Sequence, residues 1–166
     1  MRYIILIALF LCSCATDWKN EKYLKADDGS IAYITAEELH FHFTRFGVEP
    51  VILVDSDYAI IQRKWLDEFL AFHADYRFQN DFKWETFWDC DDFARDFANL
   101  ATKHHGGLSG MQAMAIGEVF YQMDSGVYHA INIALTDEGI LFIEPQASRV
   151  VELSEAEKLS IFYIRF

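Results

Sequence analysis

One stretch limits the folds open to this chain more than any other. From Asp89 the sequence runs Cys90-Asp91-Asp92-Phe93-Ala94, after which Phe93, Phe97 and Leu100 recur at helical spacing beside a small-residue stripe of Ala94, Ala98 and Ala101. That pattern predicts a helix packed closely against other elements and ending near His104-His105-Gly106-Gly107. Asp89 is a good N-cap, which puts Cys90 in the first turn, where the helix dipole lowers the pKa of a thiol. The carboxylates of Asp89, Asp91 and Asp92 push the other way unless first-turn N–H groups satisfy them.

Two later segments answer the cysteine. Met114 to Met123 and Val127 to Leu135 alternate as strands around Asp124-Ser125-Gly126, a tight turn, and Asp137-Glu138-Gly139 turns the chain into Ile140 to Glu144. His129 begins one strand and Glu144 ends its antiparallel neighbour, so the topology predicts a hydrogen bond between them. Cysteine, histidine and carboxylate are the parts of an activated thiol nucleophile. Glu144 would fix the imidazole tautomer and His129 would take the proton of Cys90. Each residue alone reads more simply, as a buried cysteine or a satisfied core histidine. The ordered trio is what favours a catalytic site.

The chain opens with Met1-Arg2, an apolar run from Tyr3 to Leu11, and Cys12-Ser13-Cys14. A basic start, a short apolar segment and small residues are the marks of an export signal, and the run is too short to span a bilayer. Leu11-Cys12-Ser13-Cys14 resembles the bacterial lipobox. The resemblance implies a lipoprotein signal at 1–13, lipidation of Cys14, and a tether at 14–30 leading to a domain at 31–166. Ala15 after the anchor goes, in similar lipoproteins, with the outer membrane. Of the three cysteines, export chemistry would then remove or acylate two, leaving Cys90 as the free thiol.

Composition narrows the partners. The 166 residues are 52% hydrophobic, enough for one domain with a real core. The net charge of −12 is spread along the chain without a basic patch, which argues against nucleic-acid binding. Thr35-Ala36-Glu37-Glu38 looks like a capping box for a helix running to about Phe46 and stopping at Gly47. His40 and His42 point to different faces of that helix and make a poor metal pair. Val51 to Val54 suits a strand, with Asp55-Ser56-Asp57 as a turn out of it. Between Gln62 and Tyr76 an aromatic stripe of Trp65, Phe69, Phe72 and Tyr76 predicts a second helix, whose rings serve the core or a sugar-stacking platform. Arg77 to Phe87 reads as a loop, and the tail as a capped helix from Ser154 followed by a strand at Ile161 to Ile164.

Taken together, Cys90-Asp91-Asp92-Phe93-Ala94, Gly117 to Val119, His129-Ala130 and Glu144-Pro145-Gln146 resemble the papain-like and transglutaminase-like cysteine hydrolases. They are most similar to the calcium-dependent protease domain at the C-terminus of a mushroom agglutinin and its bacterial relatives. The resemblance covers about 51–146. It implies an α+β fold, with the nucleophile helix on an antiparallel sheet of about four or five strands. It also implies Cys90 as nucleophile, His129 as base and Glu144 as orienter, with Trp84 and Gln146 at the oxyanion or substrate cleft. Glu144-Pro145-Gln146 departs from the Asp-Pro-Thr of most transglutaminase-like members, which favours hydrolysis over cross-linking. Those relatives use calcium, and Asp89, Asp91 and Asp92 are the candidate ligands, although no EF-hand pattern occurs. The expected activity is thiol-dependent hydrolysis of an amide bond in a peptide, peptidoglycan stem peptide or protein, by an envelope lipoprotein held to the membrane by its lipid. The rival expectation is a non-catalytic lipoprotein that binds glycan or peptide on the same fold.

Overall fold

The computed structural model describes residues 32–45, 47–80, 88–109 and 113–166. The expected signal, the anchor Cys14, the tether and Trp84 lie outside them. Chain order is β1 (Tyr33–Thr35), α1 (Ala36–Thr44), β2 (Val51–Ile52), β3 (Asp57–Ala59), α2 (Arg63–Asn80) and α3 (Cys90–Ser109), then β4 (Ile116–Gln122), β5 (Tyr128–Thr136), β6 (Gly139–Glu144), β7 (Arg149–Val151), α4 (Glu155–Leu159) and β8 (Tyr163–Arg165). Helices and strands are segregated along the chain, and the fold is α+β.

The main sheet has six strands in the order β2-β8-β4-β5-β6-β7. This corrects the expectation of four or five antiparallel strands, since β2 pairs with β8 in parallel and β7 adds an edge. Strands of two or three residues carry too little alternation to stand out in a sequence. For the same reason β1 and β3 were not foreseen. They form a separate antiparallel pair, and Asp57 opens a strand instead of closing a turn.

Alternation along β5 divides the core. Ile131, Ile133 and Leu135 face one side, with Val119, Ile164 and Phe142, and this layer meets Leu39 and Phe43 of α1. Ala134, Ile116 and Ile143 face the other side, against Leu66, Phe69 and Leu70 of α2 and Phe97 and Ala101 of α3. A sheet covered on both faces buries its central strands almost completely, so α3 is held flat against β4 and β5.

Local sequence explains the helix ends. Thr35 Oγ1 accepts from Glu38 N at 3.2 Å while the Glu38 carboxylate accepts from Thr35 N at 3.0 Å, the expected capping box. Ser154 and Glu157 repeat it for α4 at 3.1 and 2.9 Å. The chain leaves α1 through Gly47 at φ +79, a left-handed turn suited to glycine. Helix α2 continues past Tyr76, so 77–80 are helical where a loop was expected. Its buried face is Leu66, Phe69, Leu70 and His73, which leaves Phe72 at the margin, 40% exposed. The aromatic stripe thus overlaps the core face at Phe69, with Trp65 packed against that core, and leaves it at Phe72 and Tyr76. His42 is buried and His40 exposed, the divergence expected from their spacing.

Candidate active site

The first turn of α3 is built as its sequence suggests. Phe93 N donates to Asp89 O at 3.1 Å, which makes Asp89 the N-cap and Cys90 the first helical residue. Phe93 and Ala94, next along the helix, are buried, so the half-buried thiol is anchored by the packing behind it. Asn132 adds a specific pin. Fully buried on β5, its Nδ2 donates to Ala94 O of the helix at 2.8 Å and to Gly117 O of β4 at 3.0 Å. Replacing Asn132 with leucine should cost about 2 kcal/mol in urea unfolding, because one side chain satisfies two carbonyls and a branched apolar group cannot.

The β5–β6 hairpin does what its topology predicts. The Asn132↔Ile143 register carries Glu144 to the start of β5, and His129 Nε2 lies 2.8 Å from Glu144 Oε2. Both side chains are largely covered, 15% and 20% exposed. Glu144 Oε1 accepts from Gln146 N at 3.0 Å, so both carboxylate oxygens are held. Gln146 therefore enters through its backbone N–H, positioning Glu144. A carboxylate on Nε2 makes that nitrogen the donor and leaves the lone pair on Nδ1.

Past the Asn132↔Ile143 pair, β6 runs into Pro145, which has no N–H to offer the ladder. The Ala130 N–H of β5, on the residue after His129, lies near enough to Cys90 to act on its thiol. Burial pushes the Cys90 thiol above its ordinary range, the Ala130 N–H draws it down, and the charges of Asp89 and Asp91 raise it again. The Tyr121 ring packs edge-on to His129 at 5.9 Å, and burial with nearby negative charge pushes its phenol up to about 12.

The acidic residues divide into two groups. Asp89, Cys90 and Asp91 each offer a ligand atom within 4.8 Å of one another. The carboxyl of Asp89 hydrogen-bonds that of Asp91, which raises the pKa of Asp89 and lowers that of Asp91. Asp92 departs from the expected trio. Its Oδ2 accepts from Asp89 N at 3.4 Å, and its Oδ1 pairs with Arg95 at 3.0 Å, so first-turn capping and an ion pair occupy it.

Arg77 is a site residue the sequence did not disclose. From the last turns of α2 its Nη1 donates to Pro145 O at 3.3 Å, and its guanidinium lies over the Phe93 ring at 5.4 Å, within the field of Glu144. It ties the β6–β7 corner to α3. Had the helical pattern been carried one turn past Tyr76, this placement could have been anticipated; nothing local to Asn132 or Tyr121 signals theirs.

These elements, a helix presenting a thiol to a strand that carries a histidine–carboxylate pair, define the class of site. No protein-family model and no curated protein sequence matches the chain. Two solved structures share the fold. One is Polyporus squamosus lectin bound to the human-type influenza-binding epitope Neu5Acα2-6Galβ1-4GlcNAc, at TM-score 0.62 and 20% identity, covering 81% of this chain and 49% of the lectin. The other is PSL1a in complex with E64, at TM-score 0.60 and 21% identity, covering 81% of this chain and 50% of PSL1a. The chain therefore spans about half the length of either.

Proposed function

We propose that the chain is a papain-like thiol hydrolase of amide bonds, with Cys90 as nucleophile, His129 as base and Glu144 as orienter. The observation that carries this reading is the 2.8 Å His129–Glu144 bond on the hairpin against which α3, with Cys90 in its first turn, is packed. The sulfur attacks the substrate carbonyl carbon, His129 Nδ1 takes its proton and delivers it to the leaving amine, and water then hydrolyses the thioester. Glu144 stabilises the imidazolium meanwhile. The complex of PSL1a with E64, an epoxide electrophile, supports testing the same chemistry here.

Asp89 and Asp91 are the carboxylates grouped with Cys90 that could hold calcium; a cation there would draw Asp91 from Arg95, while Asp92 stays on Asp89 N and Arg95. Two adjoining carboxyls that share a hydrogen bond are a site where a hard cation can replace the proton. Bound there, it would supply positive charge next to the thiol. In the cell we place the domain in the envelope, tethered through Cys14, facing a peptide or peptidoglycan stem peptide. Transfer of a Cys14→Ala chain from the membrane to the soluble extract is the check on that anchor.

The deciding experiment is labelling of Cys90 by E64 near neutral pH, followed by intact mass. Cys90 is expected to react about tenfold or more faster than free cysteine, and His129→Ala to remove that advantage. A desolvated thiol without a working base would react more slowly than free cysteine, and that result would end the enzyme reading. Calcium is expected to accelerate the labelling, and Asp89→Asn with Asp91→Asn to abolish the acceleration. An inert thiol would favour the second reading, a glycan-binding domain. Its support is the exposed Phe72, 6.2 Å from Tyr76 and 4.9 Å from His104, together with the glycan held by the fungal lectin.

A further inference from the structure

A second cleft, of about 320 Å³, lies between α3, β4 and β8 and includes none of Cys90, His129 and Glu144. Arg95, Asn99 and Thr102 line it from one face of α3, Glu118 from β4 and Arg165 from β8. Glu118 is its unusual member. It is only 7% exposed and sits directly across the ladder from Arg165, yet among the described residues its carboxylate accepts no hydrogen bond and makes no ion pair. Burial raises its pKa even with Arg165 and Arg95 nearby. A largely buried carboxylate that faces a cleft without a direct partner is a group that a cationic ligand can satisfy.

The two arginines are not equivalent. Arg95 is committed, at 2.8 Å to Asp91 and 3.0 Å to Asp92. Arg165 is exposed and holds no ion pair among the described residues, and its planar fork suits a carboxylate. The cleft thus offers an unmatched carboxylate within and an unmatched guanidinium at its rim, on facing residues of adjacent strands. Asp55 also lines the cleft, so its two carboxylates repel a simple anion while the two guanidiniums repel a bare cation. A ligand that carries both charges on neighbouring atoms satisfies both ends.

We propose that this cleft binds a free α-amino acid, its ammonium on Glu118 and its carboxylate on Arg165. Asn99 and Thr102 are placed to hydrogen-bond its polar atoms, and the site stands independently of what Cys90 does.

The test is calorimetric titration of the full chain with the common amino acids, alongside ethylamine and acetate as one-ended probes. Saturable binding of at least one amino acid is expected, with each one-ended probe about tenfold or more weaker. Glu118→Gln and Arg165→Met should each weaken that amino acid about tenfold or more, with thermal unfolding showing both variants folded. Arg165 is exposed, so its replacement keeps the test sound even if Glu118→Gln perturbs the strand. Absence of saturable binding by any amino acid, equal binding of a one-ended probe, or undiminished binding to folded Arg165→Met would each overturn the proposal.

Discussion

Replacing Gly117 with alanine is expected to lower the thermal midpoint by roughly 6–12 °C, the equivalent of about 3 kcal/mol in a chain of this size. A Cβ at Gly117 would stand 2.2 Å from the carbonyl oxygen of Arg165 and 3.0 Å from its carbonyl carbon, both main-chain atoms of the neighbouring strand. No rotamer can relieve a backbone clash, so β4 and β8 must separate. Gly117 O also accepts from Asn132, so the displacement reaches the pin that seats α3. Thermal unfolding followed by circular dichroism reads the effect. A variant that melts within about 2 °C of the parent would show that the two strands part at little cost.

Acid is expected to weaken the fold well before the carboxylates titrate. His42 and His73 are 6% and 2% exposed, and burial lowers the pKa of each to about 4. At His73 the Arg77 charge adds to the effect, and Nδ1 lies 2.7 Å from Ser148 Oγ. With the folded pKa below the unfolded value of about 6.5, the unfolded chain binds more protons between them. The stability these histidines contribute is complete above about pH 6.5 and is lost progressively as pH falls to about 4. With allowance for partial solvent access, each is worth roughly 2 kcal/mol across that window. Urea midpoints should fall between about pH 7 and pH 5, and the combined His42→Gln, His73→Gln chain should lose most of that dependence. An unchanged slope in the variant would assign the acid sensitivity elsewhere.

The arrangement of Cys90, His129 and Glu144 was readable because each part rests on a strong local signal. A capped amphipathic helix fixes the first, and two tight turns fix the register of the others. The nearness of the Ala130 N–H to Cys90 was not readable, because it depends on how α3 packs across β5. The division of the aspartates also escaped: Arg95 pairs with both Asp91 and Asp92, and only their contacts at the helix start separate them, Asp92 on the Asp89 N–H and Asp91 beside the Asp89 carboxyl. Arg77 was hidden by an early helix end, and Asn132 by its place between Ile131 and Ile133 in a strand, where its side chain finds both acceptors across tertiary contacts. Of the short strands, β2 was read in the apolar run from Val51, whereas β1, β3 and β7 follow from pairing, which no local pattern encodes.

The position of β8 has a consequence for how the molecule is made. This strand, formed by Tyr163–Arg165, lies between β2 and β4, so the earliest strand of the main sheet joins the later ones only through the last. During synthesis the β4–β7 meander and α3 can assemble first, while the open edge of β4 has no neighbour. That edge is a template for pairing with another nascent chain until the residues around Arg165 clear the ribosome. Slowing translation over 150–166 should therefore lengthen the exposure of β4 and favour aggregation, whereas slowing it earlier should not.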